Sequence, residues 1–242
     1  MPQEFAGINE KLKRADENIH NLETEISRFF EEGKYPILPE HDKELLLEAI
    51  HYHKNRVIPL RFSVLAGEIV HHLRSCLDHL IWNFSDLNLV KNIKRIEFPI
   101  FERPLDKDSL SVYEGKVKGI TNPAALKLIE SIQPYNSSDP LDDALFIIHT
   151  FDIIDKHREL VVCLATGARE FPPENRDFVA DYQRQHPDFA PEDFAIKLKS
   201  YGKLVPQISF KDFGRRTIQP VIPALTQLHS YIGEVVGKFA AI

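Results

Sequence analysis

The segment from Glu68 to Trp82 constrains the fold most, because it reads as one amphipathic helix with a wide apolar face. At about 100° per residue, the apolar side consists of Leu65, Ile69, Val70, Leu73, Cys76, Leu77, Leu80 and Phe84. The opposite side carries Glu68, His71, His72, Ser75, Asp78, His79 and Trp82, with Arg74 at its edge. Three histidines and a tryptophan are unusual on a helix face, where Lys and Glu normally meet solvent. This polar side is therefore the candidate functional site.

A second pattern predicts a long N-terminal helix over residues 4–32. Its apolar residues alternate in spacing between four and three: Ile8, Leu12, Ala15, Ile19, Leu22, Ile26 and Phe29. This spacing is a heptad seam, and Gly33 and Pro36 end the helix. The seam can pack along the body of its own domain or against a second copy. The second interpretation predicts a homodimer that forms through helices.

The rest of the chain predicts an α+β fold that is mainly helical, a helix bundle with a small antiparallel sheet. The predicted elements are a strand at 48–58, an extended segment at 96–101, a loop at 102–122, helices at 122–132, 141–157 and 218–239, and strands at 160–166 and 205–210. We expect a single domain over 1–242. Its helical body is 1–157, and strands, a loop and the C-terminal helix occupy 158–242.

Charge and hydropathy narrow the possible partners. The net charge of −6 argues against a whole-surface attraction to nucleic acid but leaves room for a local basic patch. The sequence has no apolar run near the roughly 18 residues of a membrane span and no basic-then-apolar leader. Cys76 and Cys163 both lie in apolar sequence and read as free buried thiols. These features predict a cytoplasmic protein that does not associate with membranes.

Three motifs together resemble an uncharacterised bacterial family. They are Gly67-Glu-Ile-Val-His-His-Leu-Arg-Ser-Cys-Leu-Asp-His-Leu-Ile-Trp82, then Gln133-Pro-Tyr135, then Asp155-Lys-His-Arg158. The family pattern is GE..HNLRSALDHL.W, QPY and DKHR, and the resemblance covers most of residues 60–165. His72 stands where that pattern has Asn. The resemblance implies no biochemical function.

Arg74 and His79, with four residues between them, are also similar to the Arg-x(4–6)-His motif of HEPN domains. HEPN domains are α-helical modules that often dimerise and include ribonucleases that use no metal. The resemblance implies that Arg74 and His79 serve RNA binding or cleavage without a cofactor. The residue after Arg74 is Ser75, where active HEPN domains usually carry Asn, Asp or His.

The residue types on this face suit that chemistry. Attack of an RNA 2′-hydroxyl on its own phosphate needs a base, an acid and a cation, but no metal. His79 titrates near neutrality, Arg74 offers a planar fork for phosphate, and His72 can be a second acid or base. We therefore predict His79, Arg74 and His72 as catalytic. The predicted supporting residues are Glu68, Asp78, Asp155, His157 and Arg158.

Two alternatives use the same face. Helix bundles build metal sites from inward-facing carboxylates and histidines, and the available ligands for Zn or Fe are Glu68, His72, His79, His149 and Asp152. In the other alternative the polar groups form a structural network, with Arg74 paired to Asp78 or Asp155. The protein would then be a non-catalytic scaffold or partner-binding module.

Overall fold

The computed structural model describes residues 5–32, 57–90, 96–158, 160, 162–170, 203–213 and 216–242. The chain divides into two compact units. The first comprises 1–25, 59–162 and 210–242, and the second comprises 26–58 and 163–209. The predicted strand at 48–58 lies outside the described residues, except for its last two positions, which are irregular.

The described residues form six α-helices and a three-stranded sheet, which confirms the predicted fold class. The helices are α1 (Ala6–Glu32), α2 (Leu60–Phe84), α3 (Lys107–Val117), α4 (Pro123–Ser131), α5 (Ala144–His157) and α6 (Val221–Ala240). The strands are β1 (Val162–Glu170), β2 (Lys203–Phe213) and β3 (Arg216–Pro220), ordered β1-β2-β3 in an antiparallel sheet. None of the described helices is long and apolar enough to cross a membrane.

The N-terminal helix forms as predicted, and the part of its apolar seam that belongs to the first unit packs inside that unit. Ile8, Ala15 and Leu22 are all buried. Helix α6 lies beside this seam, since the Nε2 atom of His229 is 3.1 Å from the carbonyl oxygen of Leu12. The seam thus packs along the body of its own unit, as the first of its two interpretations predicts.

Helix α2 is the centre of the first unit. It packs against α6 and α5, which also touch each other. The apolar face predicted from the sequence is buried here, with Ile69, Leu73, Leu77 and Leu80 fully enclosed. The matching stripe on α6 includes Leu225, Leu228, Ile232 and Val236. Burial of this size leaves only the polar side of α2 free to carry function.

Several predicted element boundaries differ from the structure. Residues 102–122 contain the eleven-residue helix α3 rather than a loop with one helical turn. Its start is fixed by a capping box: the Asp106 carboxylate accepts from the backbone N–H of Ser109 at 2.8 Å, and the Ser109 hydroxyl accepts from the N–H of Asp106 at 2.8 Å. The C-terminal helix begins at Val221 rather than at 218, because residues 216–220 pair as β3.

The predicted helix start at Asn122-Pro123 forms for a local reason, whereas α5 begins at Ala144, three residues after its predicted start. Asn122 accepts from the backbone N–H of Ala124 at 2.9 Å, and Pro123 occupies the first turn. Asp143 likewise caps α5 through the N–H of Leu145 at 2.9 Å. This cap fixes the start of α5, the helix that faces one edge of the polar side of α2.

Candidate functional site

Helix α1 runs antiparallel to α2 along one flank of its polar side. The Asn18 amide donates to the Glu68 carboxylate at 3.3 Å, and the Cys76 thiol donates to the carbonyl oxygen of Ile8 at 3.6 Å. Residue numbers therefore fall along α1 as they rise along α2. We call this side the α1 flank of α2, and it carries Glu68, His72, Cys76 and His79.

Helix α5 runs antiparallel to α2 along the other flank. Asp155 lies against Gly67, so closely that a Cβ at position 67 would overlap the Asp155 carboxylate. One turn further along α2, the Nδ1 atom of His71 lies 3.0 Å from Oδ1 of Asp152. This α5 flank carries Gly67, His71, Arg74 and Asp78. The single polar side predicted from the sequence is therefore two flanks, each facing a different helix.

His71, Asp152 and Lys156 form a connected group on the α5 flank. Asp152 is buried, with a side chain 3% exposed, whereas 55% of the His71 side chain is exposed. The Lys156 ammonium donates to the second oxygen of Asp152 at 2.5 Å. Because a buried carboxylate holds Nδ1, the ring is fixed in orientation and Nε2 is left as its reactive nitrogen.

His72 is the immediate neighbour of His71 and completes a pair of imidazoles. The two ring centroids are 6.5 Å apart, with planes inclined by 51°. The Nδ1 atom of His72 is buried and has no hydrogen-bond partner among the described residues. Buried polar atoms are usually paired, so this imidazole nitrogen is a candidate for contact with a ligand.

Lys11 of α1 acts electrostatically on both histidines of the α1 flank. Burial and the charge of Lys11 lower the pKa of His72, to which His71 and Arg14 also contribute. Burial and Lys11 lower the pKa of His79 as well. Both imidazoles are therefore neutral at pH 7 and able to accept a proton. His79 is exposed and lies two turns beyond His72.

Arg74 is buried and engaged on the protein's own backbone. Its guanidinium pairs with Asp78 and donates to the carbonyl oxygen of Phe98 at 3.1 Å. Asp78 accepts from the backbone N–H of Phe98 at 2.8 Å, and burial raises its pKa. We call these three residues the Arg74 clamp. It matches the structural alternative, in which Arg74 pairs with Asp78, and it keeps the guanidinium away from His79.

Gln133 of the Gln-Pro-Tyr motif holds Pro99 and Phe101, which follow Phe98 in the chain. Its side chain is buried and accepts from the N–H of Phe101 at 3.1 Å. Its amide donates to the carbonyl oxygens of Pro99 at 2.9 Å and Ile129 at 3.1 Å. Tyr135 donates its hydroxyl to Glu130 at 2.5 Å. The motif thus fixes the path of residues 98–101 rather than lining the histidine pair.

The supporting residues at the end of α5 divide into two kinds. Asp155 is partly buried beside Gly67, and its pKa is raised by burial and by the nearby charge of Asp152. His157 and Arg158 are exposed. The structure brings Asp155 to α2 and leaves the next turn at the surface.

The proposed metal ligands fall on both flanks. Glu68, His72 and His79 face α1, whereas His149 and Asp152 belong to α5. Burial and the charges of Arg74 and Lys116 lower the pKa of His149. Within the described part of the chain, no three His, Cys, Asp or Glu side chains gather as a metal site requires.

Sequence reasoning missed His71 and Lys11 as site residues. His71 is visible on the polar side, but its hydrogen bond to Asp152 depends on the approach of α5 to Gly67. Lys11 lies outside the seam of α1, and the antiparallel pairing of α1 with α2 brings its charge close enough to lower the pKa of both His72 and His79. No local sequence signal indicates either contact.

Comparison with known proteins does not identify a family for this chain. Searches against protein-family models, curated proteins and solved structures gave no match to this chain.

Proposed function

We propose that this protein binds and cleaves RNA without a metal ion, as a HEPN-like module whose reactive centre is the histidine pair. The observation that carries the proposal is the 3.0 Å contact between His71 and buried Asp152, beside the unpaired nitrogen of His72. An imidazole oriented by a buried carboxylate next to a second, neutral imidazole is an arrangement suited to acid–base chemistry.

In this proposal one phosphodiester lies against both rings. The ring centroids are 6.5 Å apart, a separation that lets each imidazole contact an oxygen of the same phosphate at about 3 Å. His72, held neutral by burial and Lys11, removes the proton from the 2′-hydroxyl as its oxygen bonds to phosphorus. His71 is the general acid in this proposal and gives a proton to the departing 5′-oxygen as the phosphorus–oxygen bond breaks. The products are a 2′,3′-cyclic phosphate and a 5′-hydroxyl.

Lys11 and Arg14 are the cations of this proposal. Both lie close enough to His72 to lower its pKa, which places positive charge beside the phosphate. Arg74, predicted from the HEPN motif for this role, already donates to Asp78 and Phe98. His79 remains a candidate proton carrier further along the α1 flank, within the influence of the same Lys11.

The test is cleavage of an end-labelled single-stranded RNA in the presence of a chelator. We expect cleavage with a 2′,3′-cyclic phosphate end, and a loss of about a hundredfold or more in His71→Ala and in His72→Ala. His20→Ala is the matched control, because His20 is an exposed histidine on α1. If the native protein neither cleaves nor binds the RNA, the proposal is wrong.

A non-catalytic scaffold is the second candidate, and the Arg74 clamp together with Gln133 favours it. These motif residues use their polar atoms to hold residues 98–101. In that case His71→Ala lowers the melting temperature and changes no activity.

The metal-site alternative predicts instead stoichiometric Zn or Fe in purified protein. A homodimer through helices and a cytoplasmic location stay predictions, which sedimentation and cell fractionation test.

A further inference from the structure

Trp82 is exposed at the C-terminal end of α2. It is the single tryptophan of the chain, and 44% of it is accessible to solvent. An exposed indole offers a flat aromatic face that a ligand can contact.

Trp82 lies in line with His71 along α2. His71, Ser75, Asp78 and Trp82 are spaced by four, three and four residues, which places them in one stripe. The eleven residues from His71 to Trp82 make three turns, about 16 Å along the axis with an offset of about 20°. Asp78, the carboxylate within this stripe, is paired with Arg74. The stripe therefore presents no unpaired acidic group between the histidine pair and the indole.

We infer that a base of a single-stranded RNA stacks on Trp82 while a phosphate of the same strand lies between His71 and His72. This inference rests on the proposed function and adds the substrate class to it. Bases stack on exposed aromatic side chains without regard to sequence. A duplex does not offer its bases in this way, because they are already stacked and paired.

The distance from His71 to Trp82 sets the length of RNA that can contact both. At about 3.4 Å per nucleotide in a stacked strand, 16 Å spans about five nucleotides. A dinucleotide bound at the histidine pair cannot reach Trp82, whereas an octanucleotide can. Two cations, Lys11 and Arg14, and one carboxylate, Glu68, act on His72 at the histidine end of the stripe. The two cations are the groups that would attract the phosphates of a nucleic acid.

The first experiment uses the tryptophan fluorescence of the native protein, excited at a wavelength that the seven tyrosines scarcely absorb, so that it reports on Trp82. A single-stranded RNA octanucleotide is expected to quench it, and a blunt RNA duplex of equal length is not. Binding is measured independently by the anisotropy of a labelled octanucleotide. Anisotropy binding without quenching overturns the inference and leaves the proposed function standing. No binding of either RNA overturns both.

The second experiment compares Trp82→Leu with Trp82→Phe, which keeps an aromatic face. We expect Trp82→Leu to weaken octanucleotide binding about tenfold and Trp82→Phe to change it much less. The rate of dinucleotide cleavage is expected to stay at the native value in both variants. An equal loss with dinucleotide and octanucleotide assigns Trp82 a structural role and overturns the inference.

Sedimentation of Trp82→Leu tests whether a protein, rather than RNA, contacts the surface around Trp82. Leu87 and Leu89 are also exposed nearby in sequence. A change in the mass of Trp82→Leu in solution, with native affinity for the octanucleotide, assigns this surface to a protein contact and overturns the inference.

Discussion

The Arg74 clamp and the histidine pair lie less than one turn apart on α2, and they differ in whether their polar atoms have hydrogen-bond partners. Arg74 and Asp78 are matched to each other and to both backbone groups of Phe98. His72 has a buried nitrogen with no partner within the described part of the chain, and His71 is fixed at one nitrogen only. Satisfied polar groups stabilise a fold, whereas unsatisfied ones are more often kept for a ligand. This difference is why we place the reactive centre at the histidines.

The largest effect is expected from Asp152→Asn, which removes the charge that orients His71. Cleavage of single-stranded RNA should fall by about a hundredfold or more, because the imidazole loses its fixed tautomer. The initial rate with labelled RNA measures this. Asp16→Asn is the matched control, since Asp16 is exposed on α1. An Asp152→Asn variant with native activity would falsify the assignment of His71.

Arg74→Leu tests the other half of the comparison. The substitution leaves Asp78 and the Phe98 carbonyl without their buried partner, and the free energy of unfolding should fall by about 3 kcal/mol. Urea denaturation measures it. Arg103→Leu is the control: Arg103 is 87% exposed and pairs only at 3.9 Å with Glu102, so its effect should stay within about 0.5 kcal/mol.

RNA binding by folded Arg74→Leu decides the role of the arginine. We expect native affinity, because the guanidinium is buried and contacts only the protein itself. If affinity drops while stability holds, Arg74 binds phosphate as the HEPN motif predicts, and the division between clamp and reactive pair is wrong.

Gly67→Ala and Gly233→Ala are expected to have opposite signs. A Cβ at Gly67 overlaps the Asp155 carboxylate, whereas a Cβ at Gly233 meets nothing within 4 Å. Gly67→Ala should destabilise by about 1 kcal/mol, because the Asp155 side chain must turn away from the added Cβ. Gly233→Ala should stabilise by about 1 kcal/mol through helix propensity. Thermal and urea unfolding measure both. A neutral Gly67→Ala would mean that α5 does not depend on this close approach.

The smallest effect concerns pH. Burial and Lys11 lower the pKa of His72 in the folded state, so below its ordinary value of 6.5 the unfolded chain binds more protons than the folded chain. Stability is therefore full above pH 6.5 and falls as pH drops from there through the folded pKa. His72→Asn should reduce this slope. A slope identical to that of the native protein would show that His72 does not titrate with folding.

Regular patterns predicted the fold well where packing follows periodicity. The seam of α1, the apolar face of α2 and the Asn122-Pro123 start of α4 all formed as expected. Helix α3 was missed because it buries only Tyr113 and Val117, so its periodicity is weak. The capping box between Asp106 and Ser109 was its local signal. The start of α6 was misplaced because Pro220 precedes the helix and pairs in β3 instead.

The site was less predictable, since it depends on which helix covers each flank of α2. A helical wheel places His71, His72 and Arg74 near one another on the polar side but does not show that Arg74 is buried beneath Phe98. Periodicity predicts on which face of one helix each side chain lies. It predicts neither the register of α1 against α2 nor the approach of α5, and those two features distinguish the histidine pair from the Arg74 clamp.

The close approach at Gly67 has a consequence for finding similar sites in other proteins. One turn before the contact between His71 and Asp152, the Asp155 carboxylate lies against Gly67, a residue that contributes no side chain. A search pattern built only from chemically active residues would overlook that residue. A useful pattern would ask for a minimal residue four positions before the histidine, together with two carboxylates three positions apart on the opposing helix.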